Sequence, residues 1–145
     1  MRNQKKYCAD TTLPTQQNYI GGEYISNQSG KTFVTRHPGN ENPICEIETA
    51  GEPEINKAVA AALEAYKSWS RTPAAERGAV LRRAAALLRE RNDELAALET
   101  LDTGKPIAET SVVDIITGAD VIEYFAGVAL SIHGQHVDLP PQAFA

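Results

Sequence analysis

The sequence is poor in cysteine and histidine, and it has no long uncharged apolar run. Its 145 residues include two cysteines, Cys8 and Cys45. Two cysteines exclude the disulfide framework that stabilises many small secreted domains, so we expect both thiols to be free in a reducing compartment. The most apolar stretch, residues 121–132, is interrupted by Glu123 and is too short to cross a bilayer. These absences favour a cytoplasmic protein without a membrane-spanning segment.

The sequence also lacks an excess of positive charge. Its 14 lysines and arginines are outnumbered by 19 acidic residues, which gives a net charge of −5 and a pI near 5.2. An acidic balance argues against nucleic acid or an anionic membrane as the main partner. The basic leader Met1 to Lys6 is followed by polar residues where a signal peptide would have an apolar core, which argues against secretion.

The N-terminal third predicts an arm followed by short strands. Residues 1–17 are polar and unpatterned, which favours a mobile arm. Gly21-Gly22 separates two short apolar segments and predicts the turn of a hairpin. β-Branched, aromatic and alternating apolar residues predict strands at residues 19–20, 23–25, 32–35 and 43–49.

Two helices are predicted in the middle of the chain. The first has Pro53 and neighbouring acids in its opening turn, which suits a helix N-terminus. Thr72 is expected to cap the second helix, with Pro73 at its first helical position. Apolar residues at helical spacing predict the buried stripes: Ile55, Val59, Leu63, Tyr66 and Trp69 on the first helix, and Val80, Leu81, Ala84, Leu87 and Leu88 on the second.

Two more helices are predicted in the C-terminal half. Asn92-Asp93 begins the third, which we expect to end at Gly104 in a left-handed conformation, with Pro106 as a stop. Ser111 begins the fourth, which continues to about Leu130. The predicted buried stripes are Leu95, Leu98 and Leu101 on the third helix, and Val112, Ile116, Ala119, Ile122 and Ala126 on the fourth. Pro140-Pro141 predicts an extended C-terminal end.

These elements place the chain in the α/β class, but they do not make a complete domain. Short strands precede about four amphipathic helices, and the sequence predicts no central sheet on which the apolar stripes could pack. The pattern therefore indicates that a structural partner is missing.

Four local motifs together resemble the aldehyde dehydrogenase superfamily. They are Tyr19-Ile20-Gly21-Gly22-Glu23-Tyr24, the stretch from Trp69 to Arg77, Leu101-Asp102-Thr103-Gly104-Lys105-Pro106, and Tyr124-Phe125-Ala126-Gly127. Each motif alone is weak, and the resemblance depends on their order and spacing. Within the family, residues 88–95, 99–105 and 109–121 are most similar to bacterial betaine aldehyde dehydrogenases.

The resemblance implies that residues 18–145 are the N-terminal part of an NAD(P)-binding domain, truncated before the βαβ units that hold the dinucleotide. It implies a cytoplasmic, homo-oligomeric parent enzyme that oxidises betaine aldehyde to glycine betaine for osmoprotection. The family's Pro-Trp-Asn, Lys-Pro-x-Glu, Gly-Gln-x-Cys and Glu-Leu-Gly-Gly motifs are absent from this sequence. The resemblance therefore implies no catalytic and no cofactor-binding residue here, and a chain that is inactive and does not bind NAD(P) alone.

Asp102 is the strongest candidate for a functional polar side chain. Betaine aldehyde dehydrogenases bind a monovalent cation, commonly potassium, at an equivalent aspartate. By residue matching, the backbone oxygens of that site fall on Thr35 and Arg36, and a hard cation prefers such oxygen ligands. Arg36 departs from the family pattern, so the site requires its side chain to point away. The alternative is that Asp102 hydrogen-bonds Thr103 or Lys105 near the helix end.

The cysteines and histidines favour structural roles. Cys8 lies in a polar arm with no helix N-terminus or fixed cation to lower its pKa, and Cys45 lies on the apolar face of a predicted strand. His133 and His136 are three residues apart, but a turn separates them and no third ligand is evident. We interpret these two histidines and His37 as solvated or locally hydrogen-bonded.

Two functional hypotheses from different classes remain open. The chain is either the N-terminal part of the dehydrogenase, or a truncated non-catalytic module that binds full-length dehydrogenase subunits through its apolar helix stripes. An unrelated helical scaffold domain is a third, weaker alternative.

Overall fold

Short strands precede the helices in the computed structural model, which describes residues 11–135. Strands β1 (Asn18–Ile20) and β2 (Glu23–Ile25) form one antiparallel pair, and β3 (Thr32–Arg36) and β4 (Pro43–Glu48) form another. The helices are α1 (Glu52–Trp69), α2 (Ala74–Glu90), α3 (Asn92–Thr103), α4 (Ile107–Glu109) and α5 (Ile115–Val128). A π-helical turn, Thr110–Asp114, joins α4 to α5, and a 3-10 turn, Ala129–Ser131, follows α5. The predicted succession of short strands and helices is confirmed.

The first strand pair is a tight hairpin. Gly21 and Gly22 have φ angles of 66° and 93°. Two consecutive positive φ angles are required by the type I′ turn that best matches the twist of a hairpin, and glycine adopts them without strain. The rings of Tyr19 and Tyr24, which face each other across the pair, make an edge-to-face contact with centroids 5.0 Å apart.

The second strand pair contains a β-bulge. Thr35 pairs with Cys45, but Arg36 pairs with Pro43, so Ile44 is an extra residue in β4. Simple alternation would bury only one of two consecutive residues, yet Ile44 and Cys45 are 3% and 7% exposed. The bulge bends the strand locally and lets both side chains enter the interior.

Residues 11–17, which the sequence analysis includes in the mobile arm, run beside β4. The Leu13 N–H donates to the Ile44 carbonyl at 2.7 Å, and the Gln16 N–H donates to the Glu46 carbonyl at 2.8 Å. Gln16 also forms a parallel bridge with Ile47. The part of the arm that the structure describes is therefore hydrogen-bonded, whereas residues 1–10 lie outside the described range and mobility of the arm stays a prediction.

Helix α1 begins as predicted, and a buried carboxylate organises its first turn. Glu54 is 4% exposed and accepts hydrogen bonds from the Gly51 N–H at 2.8 Å and the Gln28 N–H at 2.9 Å. Such a carboxylate satisfies backbone donors that the helix itself leaves unpaired. Glu54 therefore ties the connection between β2 and β3 to the start of α1.

The predicted cap of the second helix is wrong by one residue. Helix α2 begins at Ala74, and Pro73 occupies the cap position with extended backbone. The Thr72 hydroxyl donates to the Ser68 carbonyl at 3.3 Å, and the Thr72 N–H donates to the Trp69 carbonyl at 3.1 Å. Thr72 thus completes the end of α1 and is not available to cap α2.

Helices α2 and α5 pack through their smallest residues. Gly78 and Ala85 of α2 are buried, as are Ala119 and Ala126 of α5. A Cβ atom at Gly78 would lie 2.8 Å from the Ala126 carbonyl oxygen, so the two backbones are almost in contact. We call this contact the α2–α5 seam.

The predicted stripe of α2 is therefore wrong at its larger residues. Val80 and Leu87 are 55% and 47% exposed, and Leu81 is also exposed, whereas Ala84 and Leu88 are half-buried. Helical spacing of apolar residues predicts that large side chains are buried. In a close contact between two helices, however, the buried residues are glycine and alanine. The α1 stripe is also exposed in this structure, at Ile55, Val59, Leu63, Tyr66 and Trp69.

The fourth predicted helix begins earlier than expected and is interrupted. Its first residue is Ile107, directly after Pro106, and the π-turn inserts one residue into the helical repeat. The insertion rotates Val112, which is 68% exposed, away from the buried face that carries Ala119 and Ala126. The expected burial of Val112 is wrong for this reason.

Thr110 is the fully buried residue of the π-turn. Its hydroxyl oxygen lies 2.9 Å from the Thr100 hydroxyl and 3.1 Å from the Ala96 carbonyl, which belong to α3. A buried hydroxyl requires such partners. The contact holds the π-turn against α3.

Ile44, Cys45 and Leu101 form a buried apolar cluster, with Leu13 and Ile47 packed against it. We call it the β4–α3 cluster. Leu101 confirms part of the predicted α3 stripe, whereas Leu95 is half-buried and Leu98 is 37% exposed. Across residues 11–135, no helix is both long and apolar enough to span a membrane.

Candidate functional site

A pocket of about 380 Å³ lies beside the β4–α3 cluster, between the extended segment around Leu13, the second strand pair and α3. Its floor is apolar and its edge carries hydroxyl, amide and carboxylate groups. The lining residues are Leu13, Gln16, Thr35, Ile44, Cys45, Ile47, Leu98, Glu99, Asp102 and Thr103. The pocket therefore brings together two of the three residues that the sequence analysis selects, Thr35 and Asp102.

Asp102 bonds across to a strand and not along its own helix. The Thr35 hydroxyl donates to Asp102 Oδ1 at 3.0 Å, although the two residues are far apart in sequence. The alternative partners of Asp102 are engaged elsewhere: the Thr103 hydroxyl donates to the Glu99 carbonyl at 2.7 Å, and Lys105 Nζ donates to Asp114 at 2.9 Å.

Helix α3 ends at Gly104, two residues after Asp102, and this end of the helix lies close to β3. Gly104 caps the helix with a φ angle of 74°, as predicted. A Cβ atom at this position would lie 2.7 Å from Pro38 Cγ, so the helix end packs tightly against the turn between β3 and β4. Only glycine combines the left-handed backbone with this close approach.

The Arg36 side chain points away from Asp102. Its Nη1 atom donates to the Glu41 carbonyl at 3.0 Å, in the turn between β3 and β4. The guanidinium therefore does not pair with the carboxylate. The cation site at Thr35, Arg36 and Asp102 stays a prediction.

Cys45 is a structural residue in this arrangement. Burial raises the pKa of its thiol, and the nearby Asp102 carboxylate raises that pKa further. A thiol with a raised pKa stays protonated near neutral pH, and the protonated form is a poor nucleophile. Cys8 lies outside the described residues.

The histidine geometry is local. His37 Nδ1 accepts a hydrogen bond from the Gly39 N–H at 3.1 Å, within the same turn. His133 is exposed, and His136 lies outside the described residues. Over residues 11–135, no three side chains of histidine, cysteine, aspartate or glutamate are grouped so that they could hold a metal ion.

Sequence reasoning missed a charged group beside the pocket. Lys105 Nζ lies 2.9 Å from Asp114 Oδ2 and 3.8 Å from Glu109 Oε1. Burial and the Asp114 carboxylate raise the pKa of Glu99, which faces the same group. The spacing of Lys105 and Glu109 is visible in the sequence as an i, i+4 pair. Asp114, the last residue of the π-turn, comes close to Lys105, and no pattern in the sequence predicts that turn.

Comparison with known proteins identifies the family to which this fold belongs. The model of the aldehyde dehydrogenase family matches residues 24–145. The structure of PnpE in complex with nicotinamide adenine dinucleotide is 35% identical over 87% of this chain and 26% of PnpE, with a TM-score of 0.84. The indole-3-acetaldehyde dehydrogenase AldA of P. syringae, in complex with NAD+, is 31% identical over 94% of this chain and 28% of its own, also with a TM-score of 0.84.

Betaine aldehyde dehydrogenase of Staphylococcus aureus, in complex with NAD+, is similar to the same degree. It is 33% identical over 88% of this chain and 26% of its own, with a TM-score of 0.81. This chain thus spans about a quarter of the length of these solved relatives. The matching sequence, the matching strands and helices and the length of the match show that the chain belongs to the aldehyde dehydrogenase family.

Proposed function

We propose that this chain is the N-terminal segment of an NAD-dependent aldehyde dehydrogenase that oxidises betaine aldehyde to glycine betaine, an osmoprotectant. The proposal is carried by the match between this fold and one quarter of PnpE, solved in complex with nicotinamide adenine dinucleotide, at 35% identity. The betaine substrate is supported by the amino-acid sequence of residues 88–95, 99–105 and 109–121, which resembles bacterial betaine aldehyde dehydrogenases, and by the similarity to the S. aureus enzyme. The proposed parent is a cytoplasmic homo-oligomer.

The segment contributes structure and no catalytic group to the proposed reaction. Cys45 is buried, its thiol has a raised pKa, and the motifs of the nucleophile, the base and the cofactor site are absent from the sequence. The purified 145-residue chain should therefore produce no NADH from NAD+ and betaine aldehyde. Cysteine-dependent turnover by this chain would contradict the proposal.

The intact mass of the native polypeptide in cells tests the proposed parent. We expect a mass several times 15.7 kDa. The purified native enzyme should then have a higher kcat/KM for betaine aldehyde than for indole-3-acetaldehyde, and NAD+ should be a better cofactor than NADP+. The reverse substrate order would retain the family and reject the betaine assignment.

We further propose a potassium site in the native enzyme at Asp102, with backbone oxygens of Thr35 and Arg36. The supporting observations are the oxygen groups of Thr35 and Asp102 in contact and the Arg36 guanidinium directed to Glu41. Potassium should raise the melting temperature relative to N-methyl-D-glucamine at equal ionic strength, since a ligand that binds only the folded state stabilises it.

The substitution Asp102→Asn should remove the potassium effect on melting. The matched change Asp93→Asn, at an exposed position on the same helix, should leave the effect intact. A potassium response that persists in Asp102→Asn would place the cation elsewhere.

The exposed stripe of α1 supports a second candidate function, a non-catalytic module that binds full-length dehydrogenase subunits. Its members Ile55, Leu63 and Tyr66 are 56%, 64% and 65% exposed. A native polypeptide of 15.7 kDa that co-purifies with a full-length subunit would favour this function. A well-folded native monomer of that mass would contradict both candidates.

A further inference from the structure

The pocket beside the β4–α3 cluster has the composition of a small-molecule site. Its volume is about 380 Å³, and residues from the segment around Leu13, the second strand pair and α3 line it. Ligand sites in proteins measure roughly 300–1,000 Å³ and combine mostly apolar walls with a few polar groups. The potassium site proposed above uses only the polar edge of this pocket, so its apolar interior has no role in that proposal.

The interior of the pocket is uncharged and apolar. Ile44 and Cys45, which the β-bulge brings inside together, line it, and Leu13 and Ile47 pack against them. Leu98, which is 37% exposed, contributes a further apolar side chain from α3. Burial raises the pKa of the Cys45 thiol, which therefore stays protonated and neutral near pH 7. Such an interior suits a hydrocarbon chain.

The charged groups that line the pocket are all acidic. They are Glu99 and Asp102, and no lysine or arginine is among the lining residues. The nearby cations are directed elsewhere: the Arg36 guanidinium donates to a backbone carbonyl of the turn between β3 and β4, and Lys105 pairs with carboxylates outside the pocket. Within residues 11–135, neither Glu99 nor Asp102 forms an ion pair with a lysine or arginine. Charge complementarity therefore favours a cationic ligand.

The Asp102 carboxylate has one oxygen available to such a ligand. Its Oδ1 atom accepts the Thr35 hydroxyl at 3.0 Å, whereas its Oδ2 atom accepts no hydrogen bond from residues 11–135. A primary ammonium group carries three N–H donors and can donate to this oxygen in a charge-assisted hydrogen bond. A quaternary ammonium group has no such donor and is recognised by aromatic rings, none of which lines the pocket.

We propose that this pocket binds a primary alkylammonium ion, with the ammonium group at Asp102 and the hydrocarbon chain along Ile44, Cys45 and Leu98. The acidic edge selects a cation, the apolar interior selects a hydrocarbon chain, and the free Asp102 oxygen selects a primary over a quaternary amine. The inference depends on the pocket alone and does not rest on the proposed dehydrogenase activity.

Isothermal titration calorimetry with n-alkylammonium chlorides tests the proposal on the native polypeptide purified from cells, at pH 7 in sodium phosphate. From butylammonium to heptylammonium, the affinity should rise by up to about fourfold per methylene, because each added methylene is buried in the pocket. The carboxylates of matched length, butanoate to heptanoate, should not bind, because they carry the same chain with the opposite charge. Equal binding of amines and carboxylates, or an affinity independent of chain length, would overturn the proposal.

A matched pair of variants locates the binding. Leu98→Lys adds a cation at the edge of the pocket, and because Leu98 is 37% exposed the fold should tolerate it. We expect heptylammonium to bind at least about tenfold more weakly, because two like charges then share the site. Leu87→Lys, at a position on α2 that is 47% exposed and does not line the pocket, should bind as the parent does. Full affinity in Leu98→Lys would place the ligand elsewhere and overturn the proposal.

The outcomes separate this inference from the proposed function. A native polypeptide that binds the alkylammonium series but does not oxidise betaine aldehyde would support the pocket and reject the function. An active betaine aldehyde dehydrogenase that binds no alkylammonium ion would overturn the inference and leave the function standing. In that second case, other parts of the native polypeptide fill the pocket.

Discussion

The α2–α5 seam and the β4–α3 cluster bury apolar surface in opposite ways. The seam consists of glycine and alanine, and its backbones approach so closely that one added Cβ at Gly78 would meet the Ala126 carbonyl at 2.8 Å. The cluster consists of larger side chains, such as Ile44 and Leu101. The seam therefore tolerates no added atoms, and the cluster tolerates no removed atoms.

The two regions also differ in how polar groups complete them. At the seam, Arg89 joins the two helices through Asp120 and Glu123 on the solvent side. A hydrogen bond from the Thr35 hydroxyl to Asp102 closes the edge of the cluster. Four substitutions test this comparison and its extension to two carboxylates, Glu54 and Glu99, whose pKa values are shifted.

The largest effect is expected from Leu101→Ala in the β4–α3 cluster. Leu101 is 3% exposed, and such a truncation leaves a cavity that costs about 2–5 kcal/mol of unfolding free energy. Urea denaturation of the chain measures the change. The control Leu98→Ala, on the same helix at 37% exposure, should lose less than half as much. Equal losses would show that the cluster is not the main core of this region.

Gly78→Ala should have the next largest effect, because its Cβ would press on the Ala126 carbonyl. Overpacking of this kind costs about 1–3 kcal/mol, partly offset by the better helix propensity of alanine. The control is Gly118→Ala in α5, where a Cβ meets no atom within 4 Å. It should stabilise the chain by up to about 1 kcal/mol. Thermal melts that show stabilisation in both variants would contradict the close seam.

A smaller effect is expected from Glu54→Gln, and it should depend on pH. The backbone N–H groups of Gln28 and Gly51 hold the pKa of Glu54 below its ordinary value of 4.5. A lowered folded-state pKa contributes stability above the unfolded-state pKa, and this stability is lost as pH falls through the folded-state pKa. The variant should melt several degrees lower at pH 7 and lose less stability than the parent on acidification. Parallel pH profiles would refute this role.

Glu99→Gln should give the smallest effect, with the opposite sign. Burial, and then the neighbouring Asp114 carboxylate, raise the pKa of Glu99 above 4.5. A raised folded-state pKa favours folding below the unfolded-state pKa, and the advantage is lost as pH rises through the folded-state pKa. Glu99→Gln should therefore melt slightly higher at pH 7, with the difference shrinking as pH falls through the folded-state pKa of Glu99 towards 4.5. Glu90→Gln, at an exposed position, is the control.

Local sequence signals predicted much of the fold because they act within a few residues. Gly21-Gly22 predicts its turn since glycine alone adopts two positive φ angles without strain. Gly104 predicts the end of α3 for the same reason, and the φ angle of 74° confirms it. The acids and Pro53 correctly predict the start of α1. The resemblance to the family is also visible in the sequence, because it depends on the order and spacing of short motifs.

The candidate site was predicted in part. Asp102 was selected from the resemblance, and the structure places its carboxylate 3.0 Å from the Thr35 hydroxyl. The orientation of Arg36 could not be predicted, because it depends on the Glu41 carbonyl in a turn whose path is set by the bulge. The potassium site itself stays a proposal.

The sequence by itself determined the order of strands and helices, the glycine turns and the family, since each follows from short-range backbone preferences or motifs. Only the tertiary structure decided which residues are buried. The bulge brings both Ile44 and Cys45 inside, the π-turn rotates Val112 outward, and the seam selects Gly78 over larger apolar neighbours. The physical reason is that burial depends on how closely two elements approach, which no single element encodes.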